Sequence, residues 1–273
     1  DVVYYERPFI HSYKLAFEAS GCLTDEPTIR VSTPYFRYVI FRIMNLHSVN
    51  YVLTDATALM LLLRGLAPIH CSAFRKGGAT VVVFAPANTG KTLATMTACV
   101  EHGAEFLAED LAITDGSVVN AVPWTSTFGY YGQVDRRVSV RLVNKVSETL
   151  PWVQFMPLVK QRSITSFVDE SRICTRSKRT HIAILERGPR TLKSENREEA
   201  YRKVWNLNRA EFNYQRSPLN LAYEFFNPEL CLDAAYRREQ SILRELVDGA
   251  AECLLVRTPD PTEYAGMILG ALS

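Results

Sequence analysis

Apolar positions along the chain fall into short strand-like runs that are separated by segments with helical spacing. The clearest strand is Ala79 to Phe84, a continuous apolar run of the kind that is buried on both faces of a sheet. A hairpin-like turn at 76–78 precedes it. From Lys91 to Glu101 small and apolar residues recur at helical spacing, and Gly103 follows as a stop signal. The pattern therefore predicts a strand, a loop and a helix in series.

The N-terminal part of the chain predicts a layer of strands. Three segments there have the alternation or the β-branched and aromatic composition of strands, namely Tyr13 to Ser20, Thr28 to Ser32 and Tyr38 to Met44. A helix is predicted at Asp55 to Arg64, where Gly65 acts as a stop signal. We therefore expect a strand-rich subdomain at residues 1–66, packed on a core domain at residues 67–273.

Strands and helices alternate through the core domain, as in an α/β sheet. The predicted strands are Ile69 to Phe74, Phe106 to Ala108, Ser117 to Val122, His181 to Leu185 and Ala251 to Val256. The predicted helices are Glu198 to Leu207, Leu230 to Leu246 and Pro261 to Leu272. Residues 123–178 give mixed signals, so we expect loops and substrate contacts there. The aromatic stretch Trp124 to Tyr131 either lines an acceptor pocket or fills a core.

Composition narrows the class of protein. The chain has 273 residues, of which 47% are hydrophobic and 22% charged, as in ordinary globular proteins. Its net charge of +2 is too small to favour nucleic acid as a partner. The most apolar run, Ala56 to Leu63, is far shorter than the roughly 20 residues of a membrane helix. We expect a cytoplasmic protein with reduced cysteines, and the sequence is compatible with a homo-oligomer.

The sharpest motif is the loop between the predicted strand and helix, Ala85-Pro86-Ala87-Asn88-Thr89-Gly90-Lys91-Thr92. It fits the phosphate-binding pattern G-x-x-x-x-G-K-[ST] except for Ala85. Backbone N–H groups from Ala87 through Asn88, Thr89 and Gly90 to Lys91 are expected to form an anion-binding nest at a helix N-terminus. Lys91 would reach the β and γ phosphates of ATP, and the Thr92 hydroxyl would ligate Mg²⁺. The alternative is a chance Gly-Lys-Thr sequence in a loop.

Three further polar residues flank this loop. Glu109 and Asp110 end the next predicted strand, and in a parallel sheet that end faces the same crevice as the loop. One carboxylate would hold Mg²⁺ while the other accepts a proton from an attacking hydroxyl. His70 precedes the hairpin that leads to the loop strand. The alternatives are a solvated acidic pair and a structural histidine at a strand start.

From Pro68 to Val118 the sequence resembles the nucleotide-binding core of HPr kinase/phosphorylase and its relatives, whose fold is similar to phosphoenolpyruvate carboxykinase. The resemblance implies a P-loop domain with a mixed sheet and flanking helices. It also implies Glu109 as the catalytic base, Asp110 as a metal ligand and His70 as a catalytic auxiliary near the phosphates. Bacterial HPr kinases have Asp at the position of Glu109, and their second signature has no match here. The resemblance therefore favours relatives that phosphorylate other peptides or small hydroxyl compounds.

The sequence thus predicts a phosphotransferase that uses ATP and Mg²⁺ and has a hydroxyl-bearing peptide or small molecule as acceptor. Basic residues before the His181 strand are candidates for an arginine at the transferring phosphoryl group, namely Arg172, Arg176, Lys178 and Arg179, and a weaker set is Arg136 and Arg137. One rival is a nucleotide-binding regulatory or assembly module without phosphoryl transfer. Another is phosphorolysis or decarboxylation on the same fold.

Overall fold

The computed structural model describes residues 2–8, 14–41, 47–122 and 163–272. These residues form two compact units. The first contains the described residues up to 64 together with 212–238, and the second contains 65–122, 163–211 and 239–272. The predicted division into domains at residues 66 and 67 stays a prediction. Of the predicted substrate-contact region at residues 123–178, residues 123–162 lie outside the described residues, and these include Trp124 to Tyr131, Arg136 and Arg137.

The strands are β1 (Val2–Pro8), β2 (Lys14–Ser20), β3 (Thr28–Val31), β4 (Ala67–Ile69), β5 (Ser72–Lys76), β6 (Ala79–Phe84), β7 (Glu105–Ala108), β8 (Ala112–Thr114), β9 (Val118–Ala121), β10 (Arg176–Lys178), β11 (His181–Arg187), β12 (Thr191–Ser194) and β13 (Glu252–Thr258). The helices are α1 (Thr33–Phe41), α2 (His47–Leu63), α3 (Lys91–Val100), α4 (Arg197–Glu211), α5 (Pro218–Phe226), α6 (Leu232–Asp248) and α7 (Tyr264–Ala271).

The first unit has a three-stranded antiparallel sheet in the order β1-β2-β3. Alternate residues of β2 point into its core, because Leu15, Phe17 and Ala19 are buried while their neighbours are partly exposed. The ring of Phe17 meets that of Tyr35 on α1 edge to face, with centroids 4.5 Å apart. Helix α5 packs on β1. The sheet therefore forms one face of the unit's hydrophobic core.

The predicted strand at Tyr38 to Met44 is wrong, because residues up to 41 belong to helix α1. Local signals explain the helix. The Ser32 hydroxyl accepts a hydrogen bond from the Tyr35 N–H at 3.4 Å, and Pro34 occupies the first turn, where its missing N–H costs nothing. The capping residue and the proline outweigh the β-branched and aromatic composition.

The second unit contains a six-stranded mixed sheet in the order β12-β13-β11-β6-β5-β7. Strand β11 runs parallel to β6 on one side and to β13 on the other. The other neighbouring pairs in this sheet are antiparallel. Residues Val81 to Phe84 of β6 are fully buried, as their continuous apolar run predicts. Helix α3 packs against β5, β6 and β7, and α4 packs against β11. The prediction of a mixed α/β fold with flanking helices is confirmed.

Two smaller features complete the second unit. A hairpin joins β5 to β6 through Gly77 and Gly78, whose φ angles of 57° and 83° are the left-handed values that such a turn requires. A four-stranded sheet has the order β10-β9-β8-β4. In the described ranges of the chain, no helix combines the length and the apolar character needed to cross a membrane. The cytoplasmic location stays a prediction.

A buried carboxylic acid lies in the first unit. Asp55 of α2 is 5% exposed, and its Oδ1 accepts a hydrogen bond of 3.1 Å from the Asn213 N–H. Burial raises the pKa of Asp55 to about 6, and the Asn213 hydrogen bond only partly offsets it. Because this folded-state pKa lies above the unfolded value, ionisation of Asp55 disfavours folding. That cost is absent below the unfolded pKa, grows as the pH rises towards the folded pKa and is constant above it.

We therefore predict that Asp55→Asn stabilises the protein at pH 8 by about 1–3 kcal/mol, since the amide keeps an acceptor but carries no charge. The gain should be about half as large at pH 5. Urea unfolding at both pH values measures it. Asp115→Asn is the control of opposite sign. Burial raises the pKa of Asp115, but hydrogen bonds from the Val118 and Ser117 N–H groups bring it below its usual value. Asp115→Asn should therefore lower the free energy of unfolding at pH 8. A lower free energy of unfolding for Asp55→Asn would contradict the prediction.

Candidate functional site

The loop between β6 and α3 turns back over the end of the sheet. Ala85 is buried, residues 86–88 are exposed, and the Thr89 N–H donates to the Pro86 carbonyl at 3.3 Å. Asn88 has a φ of 60°, the left-handed conformation that asparagine tolerates better than most other residues. The loop is therefore bent rather than extended, and its far end runs directly into the first turn of α3.

Gly90 is required at that junction for two reasons. Its φ is 120°, which side chains other than glycine rarely adopt. A Cβ atom added there would also lie 3.0 Å from the Cβ of Pro261. The Gly90 carbonyl accepts from the Ala94 N–H at 2.9 Å and so begins the helix. The close approach of Pro261 fixes where the N-terminus of α3 starts.

Lys91 is buried at the first position of α3, with 8% of its surface exposed. Its Nζ lies 2.6 Å from His70 Nε2 and donates to the Ala85 carbonyl at 3.1 Å. Burial lowers the pKa of Lys91, while the nearby charges of Asp110, Glu211 and Glu109 oppose that shift. The ammonium group therefore lies across the base of the loop, held by one carbonyl and one imidazole.

His70 directly follows β4 and is the first of the two residues that connect β4 to β5. Its Nδ1 lies 3.6 Å from Asp110 Oδ1 and 3.8 Å from Glu211 Oε2. Burial and the charge of Lys91 lower the pKa of His70, and the two carboxylates oppose this. An ammonium group has no acceptor, so Nε2 must accept from Lys91 and the ring proton must reside on Nδ1, facing the carboxylates.

The two acidic residues at the end of β7 have different environments. Glu109 is 3% exposed, and its Oε1 accepts a hydrogen bond of 2.8 Å from the Thr92 hydroxyl. The side chain of Asp110 is 43% exposed and faces His70. Burial raises the pKa of Asp110, and the neighbouring His70 opposes this shift. The Thr92 hydroxyl thus contacts Glu109, and the predicted sharing of Mg²⁺ by Thr92 and Asp110 stays a prediction.

Asp110 has an unusual backbone. Its φ is 69°, and the Leu111 N–H donates to the Glu109 carbonyl at 2.8 Å. A hydrogen bond between residues two apart around a positive φ is a γ-turn of the rare, strained kind. Strain of this type is found where a side chain must be presented in a particular direction. Here the turn separates the two carboxylates, so that one faces Thr92 and the other His70.

The structure thus brings His70, Lys91, Thr92, Glu109 and Asp110 together at one end of the sheet. Two of the predicted basic residues, Arg172 and Arg179, instead hydrogen-bond elsewhere in the described part of the chain. Arg172 donates to the Cys99 carbonyl at 3.0 Å, near the opposite end of α3, which is about 15 Å long. Arg179 donates to the carbonyls of Glu245 and Leu246 in the last turn of α6. Both guanidinium groups therefore satisfy helix C-termini.

Sequence reasoning missed three residues at this site. Glu211 lies beside His70, and Asn208 and Glu239 form a buried hydrogen-bonded pair behind it. All three lie on helices that come more than a hundred residues after His70 in the chain. Amphipathic spacing predicts their helices but gives no signal for a polar residue on the buried face.

The donor groups here are suited to Mg²⁺. Thr92, Glu109 and Asp110 offer hydroxyl and carboxylate oxygens, which Mg²⁺ prefers when phosphate oxygens and water complete its shell. Within the described residues, no group of three or more His, Cys, Asp or Glu side chains is arranged to hold a metal ion without such help. The oxygen donors of these three residues therefore fit the chemistry of Mg²⁺.

Comparison with solved structures finds the Hpr(Ser) kinase/phosphatase from Coxiella burnetii, with a TM-score of 0.29 and 9% identity over 47% of this chain and 70% of that chain. A TM-score this low carries no argument about function. No protein-family model matches the sequence, and no curated protein is similar to it. Support for a function must therefore come from the geometry of the site.

The strained turn yields a prediction about stability. Asp110→Gly should be more stable than Asp110→Ala by about 1 kcal/mol, because glycine adopts a positive φ without the steric cost that a Cβ brings. Thermal unfolding of the two variants measures the difference. The same pair of substitutions at Arg75, a residue of strand β5, provides the matched control. There glycine should be the less stable variant, and the same order at both positions would show that residue 110 has no special backbone.

Proposed function

We propose that the chain binds ATP with Mg²⁺ at residues 85–92 and transfers the γ-phosphoryl group to a hydroxyl of a peptide or small molecule. The observation that supports this best is the contact between Lys91 and His70 directly beside the Thr92–Glu109 hydrogen bond. A cation, a hydroxyl and two carboxylates at one helix N-terminus are the groups that phosphoryl transfer requires.

Phosphate binding is supported by the bent loop and by α3. The helix has ten residues, and its N-terminus carries roughly half a positive charge that attracts anions. Exposed backbone at Ala87 and Asn88 borders the place where phosphates would lie. When phosphates bind, Lys91 would exchange the Ala85 carbonyl for β and γ phosphate oxygens. Its head group needs only a short rotation for this, because it already lies across the loop.

The two carboxylates receive different roles in this proposal. The resemblance implies Glu109 as base and Asp110 as metal ligand, but the geometry favours the reverse. Glu109 is almost fully buried beside the Thr92 hydroxyl, so these two residues are placed to share Mg²⁺. A general base must contact an incoming acceptor, and Asp110 has the more exposed carboxylate. We therefore assign proton acceptance to Asp110.

The transfer step follows from these positions. The acceptor oxygen attacks the γ phosphorus in line, the bond from phosphorus to the bridging oxygen of ATP breaks, and ADP leaves with that electron pair. The hydroxyl proton moves to the Asp110 carboxylate. Lys91 stabilises the negative charge on the phosphate oxygens, and Mg²⁺ supplies further positive charge when bound. His70 holds Lys91 in position from the opposite side.

We predict that Lys91→Ala weakens Mg-ATP binding at least about 30-fold, since a charge-assisted contact contributes roughly 2 kcal/mol. Isothermal titration calorimetry with Mg-ATP measures this. Lys203→Ala is the control, because it removes a lysine whose ion pairs are with Glu186 and Glu195 at 2.8 Å each, and no hydrogen bond or ion pair joins Lys203 to residues 85–92. Equal affinities for wild type and Lys91→Ala would contradict the proposed binding site.

The acidic residues should separate binding from transfer. Asp110→Asn should keep Mg-ATP affinity within about threefold but reduce phosphotransfer at least about 100-fold, since a general base contributes 10²–10⁴ in rate. Glu109→Gln should instead remove most of the Mg²⁺ dependence of ATP binding. Calorimetry with and without Mg²⁺ measures binding. Mass spectrometry of serine peptides and small hydroxyl compounds incubated with ATP measures transfer. If instead Glu109→Gln reduced phosphotransfer and Asp110→Asn removed the Mg²⁺ dependence of binding, Glu109 would be the general base.

The rival function is nucleotide binding without transfer. If wild type binds Mg-ATP and no acceptor in a broad hydroxyl screen gains phosphate mass, the regulatory or assembly module is the better description. Dependence on pyrophosphate or on oxaloacetate would instead indicate phosphorolysis or decarboxylation.

A further inference from the structure

The backbone of His70 is held by a side chain from a distant helix. Its N–H donates to Asn208 Oδ1 at 3.0 Å. Asn208 lies on α4 and is 1% exposed. Its Nδ2 donates to the Pro68 carbonyl at 3.1 Å and to Glu239 Oε1 at 2.7 Å. One amide group therefore forms hydrogen bonds to the backbone on both sides of Ile69.

The orientation of this amide is determined by its partners. The Pro68 carbonyl and the Glu239 carboxylate accept hydrogen bonds, so the Asn208 nitrogen must face them and its oxygen must face the His70 N–H. Both amide hydrogens and the oxygen are then used. Rotating the amide by half a turn would break all three hydrogen bonds. The Asn208 amide therefore has one orientation in which all three hydrogen bonds form.

Glu239 makes this position costly to leave. It lies on α6 and is 2% exposed, and its hydrogen bond with Asn208 is charge-assisted when the carboxylate is ionised. Breaking a charge-assisted hydrogen bond in a buried place costs more free energy than breaking a neutral one. The pair Asn208–Glu239 therefore acts as a rigid support rather than an adaptable surface contact.

The same helix contacts the His70 ring. Glu211 follows Asn208 by one helical turn, which places both side chains on one face of α4. Its Oε2 lies 3.8 Å from His70 Nδ1, on the ring edge opposite the Lys91 contact at Nε2. The last turn of α4 thus fixes the His70 backbone through one residue and borders its ring with another.

We propose that Asn208, held by Glu239, is a positioning residue that sets His70 and, through His70, places the ammonium group of Lys91 at the base of the phosphate loop. This inference rests on the proposed function, because Lys91 is taken as the phosphate-binding cation. Displacements near 1 Å are large on the scale of such contacts, since the Lys91–His70 distance is 2.6 Å. Loss of the Asn208 amide should therefore affect nucleotide binding without any contact between Asn208 and the nucleotide.

The test compares two buried asparagines. Asn208→Ala removes the support of His70. Asn220→Ala removes an amide that is similarly buried and likewise donates two hydrogen bonds, in its case to the backbone carbonyls of Asp55 and Tyr214 in the first unit. Thermal unfolding, calorimetry with Mg-ATP, and ¹⁵N spectra of histidine-labelled protein at pH 8 are recorded for both. The His70 signal is identified by its loss in His70→Gln.

We expect both variants to lower the unfolding temperature. Only Asn208→Ala should weaken Mg-ATP binding, by about tenfold, which corresponds to the loss of one buried hydrogen-bonded position. It should also change the His70 ring from the Nδ1–H tautomer to a mixture of the two neutral tautomers. Asn220→Ala should leave the affinity within about twofold of wild type and the His70 signal unchanged. Lower stability of Asn208→Ala with wild-type affinity and a wild-type His70 signal would assign Asn208 a purely structural role and overturn the proposal.

A second pair of variants applies if Asn208→Ala does not fold. Glu239→Gln keeps an acceptor for the Asn208 amide and should retain wild-type affinity and the His70 tautomer. Glu239→Leu fills the same space without an acceptor. It should change the Mg-ATP affinity and the His70 tautomer in the direction expected for Asn208→Ala. Identical behaviour of these two variants would overturn the proposal. If wild type itself binds no nucleotide, the proposed function fails, whereas the spectra still decide whether Asn208 positions His70.

Discussion

A buried ammonium group imposes the main constraint on the second unit. Lys91 is nearly inaccessible to water, and a charge without partners in such a place would be strongly destabilising. The fold satisfies it with the Ala85 carbonyl, the His70 ring and three nearby carboxylates. These groups come from the ends of β4, β6, β7 and α4. Four separate chain segments therefore meet around this one charge at the same edge of the sheet.

The parts of the site that could be predicted are those whose signals are local. The apolar run of β6, the residues of the loop and the helical spacing after Lys91 follow one another, so their order alone predicts a strand, a bent loop and a helix. Glu109 and Asp110 end the next strand of the chain, and they meet the loop because β7 joins the same sheet. His70 could be proposed from the sequence only with the help of a family resemblance.

Most parts that could not be predicted depend on tertiary contacts. Asn208 and Glu239 have no recognisable spacing, because each is only one polar residue on the buried face of an amphipathic helix. Arg179 was one candidate for a phosphate ligand, but helix carbonyls accept its hydrogen bonds. For these residues a distant partner decides the outcome. The run from Tyr38 is different, because its strand-like composition is outweighed by local signals, a serine cap and a proline just before it.

The contact between Gly90 and Pro261 has a consequence for biosynthesis. The loop is encoded early in the chain, but the proline that limits its conformation emerges only after β13 has been made. During translation the loop residues therefore emerge well before this neighbour. The close packing of residues 90 and 261 forms only once β13 and the proline that follows it have also been made, so it depends on segments that lie far apart in the chain.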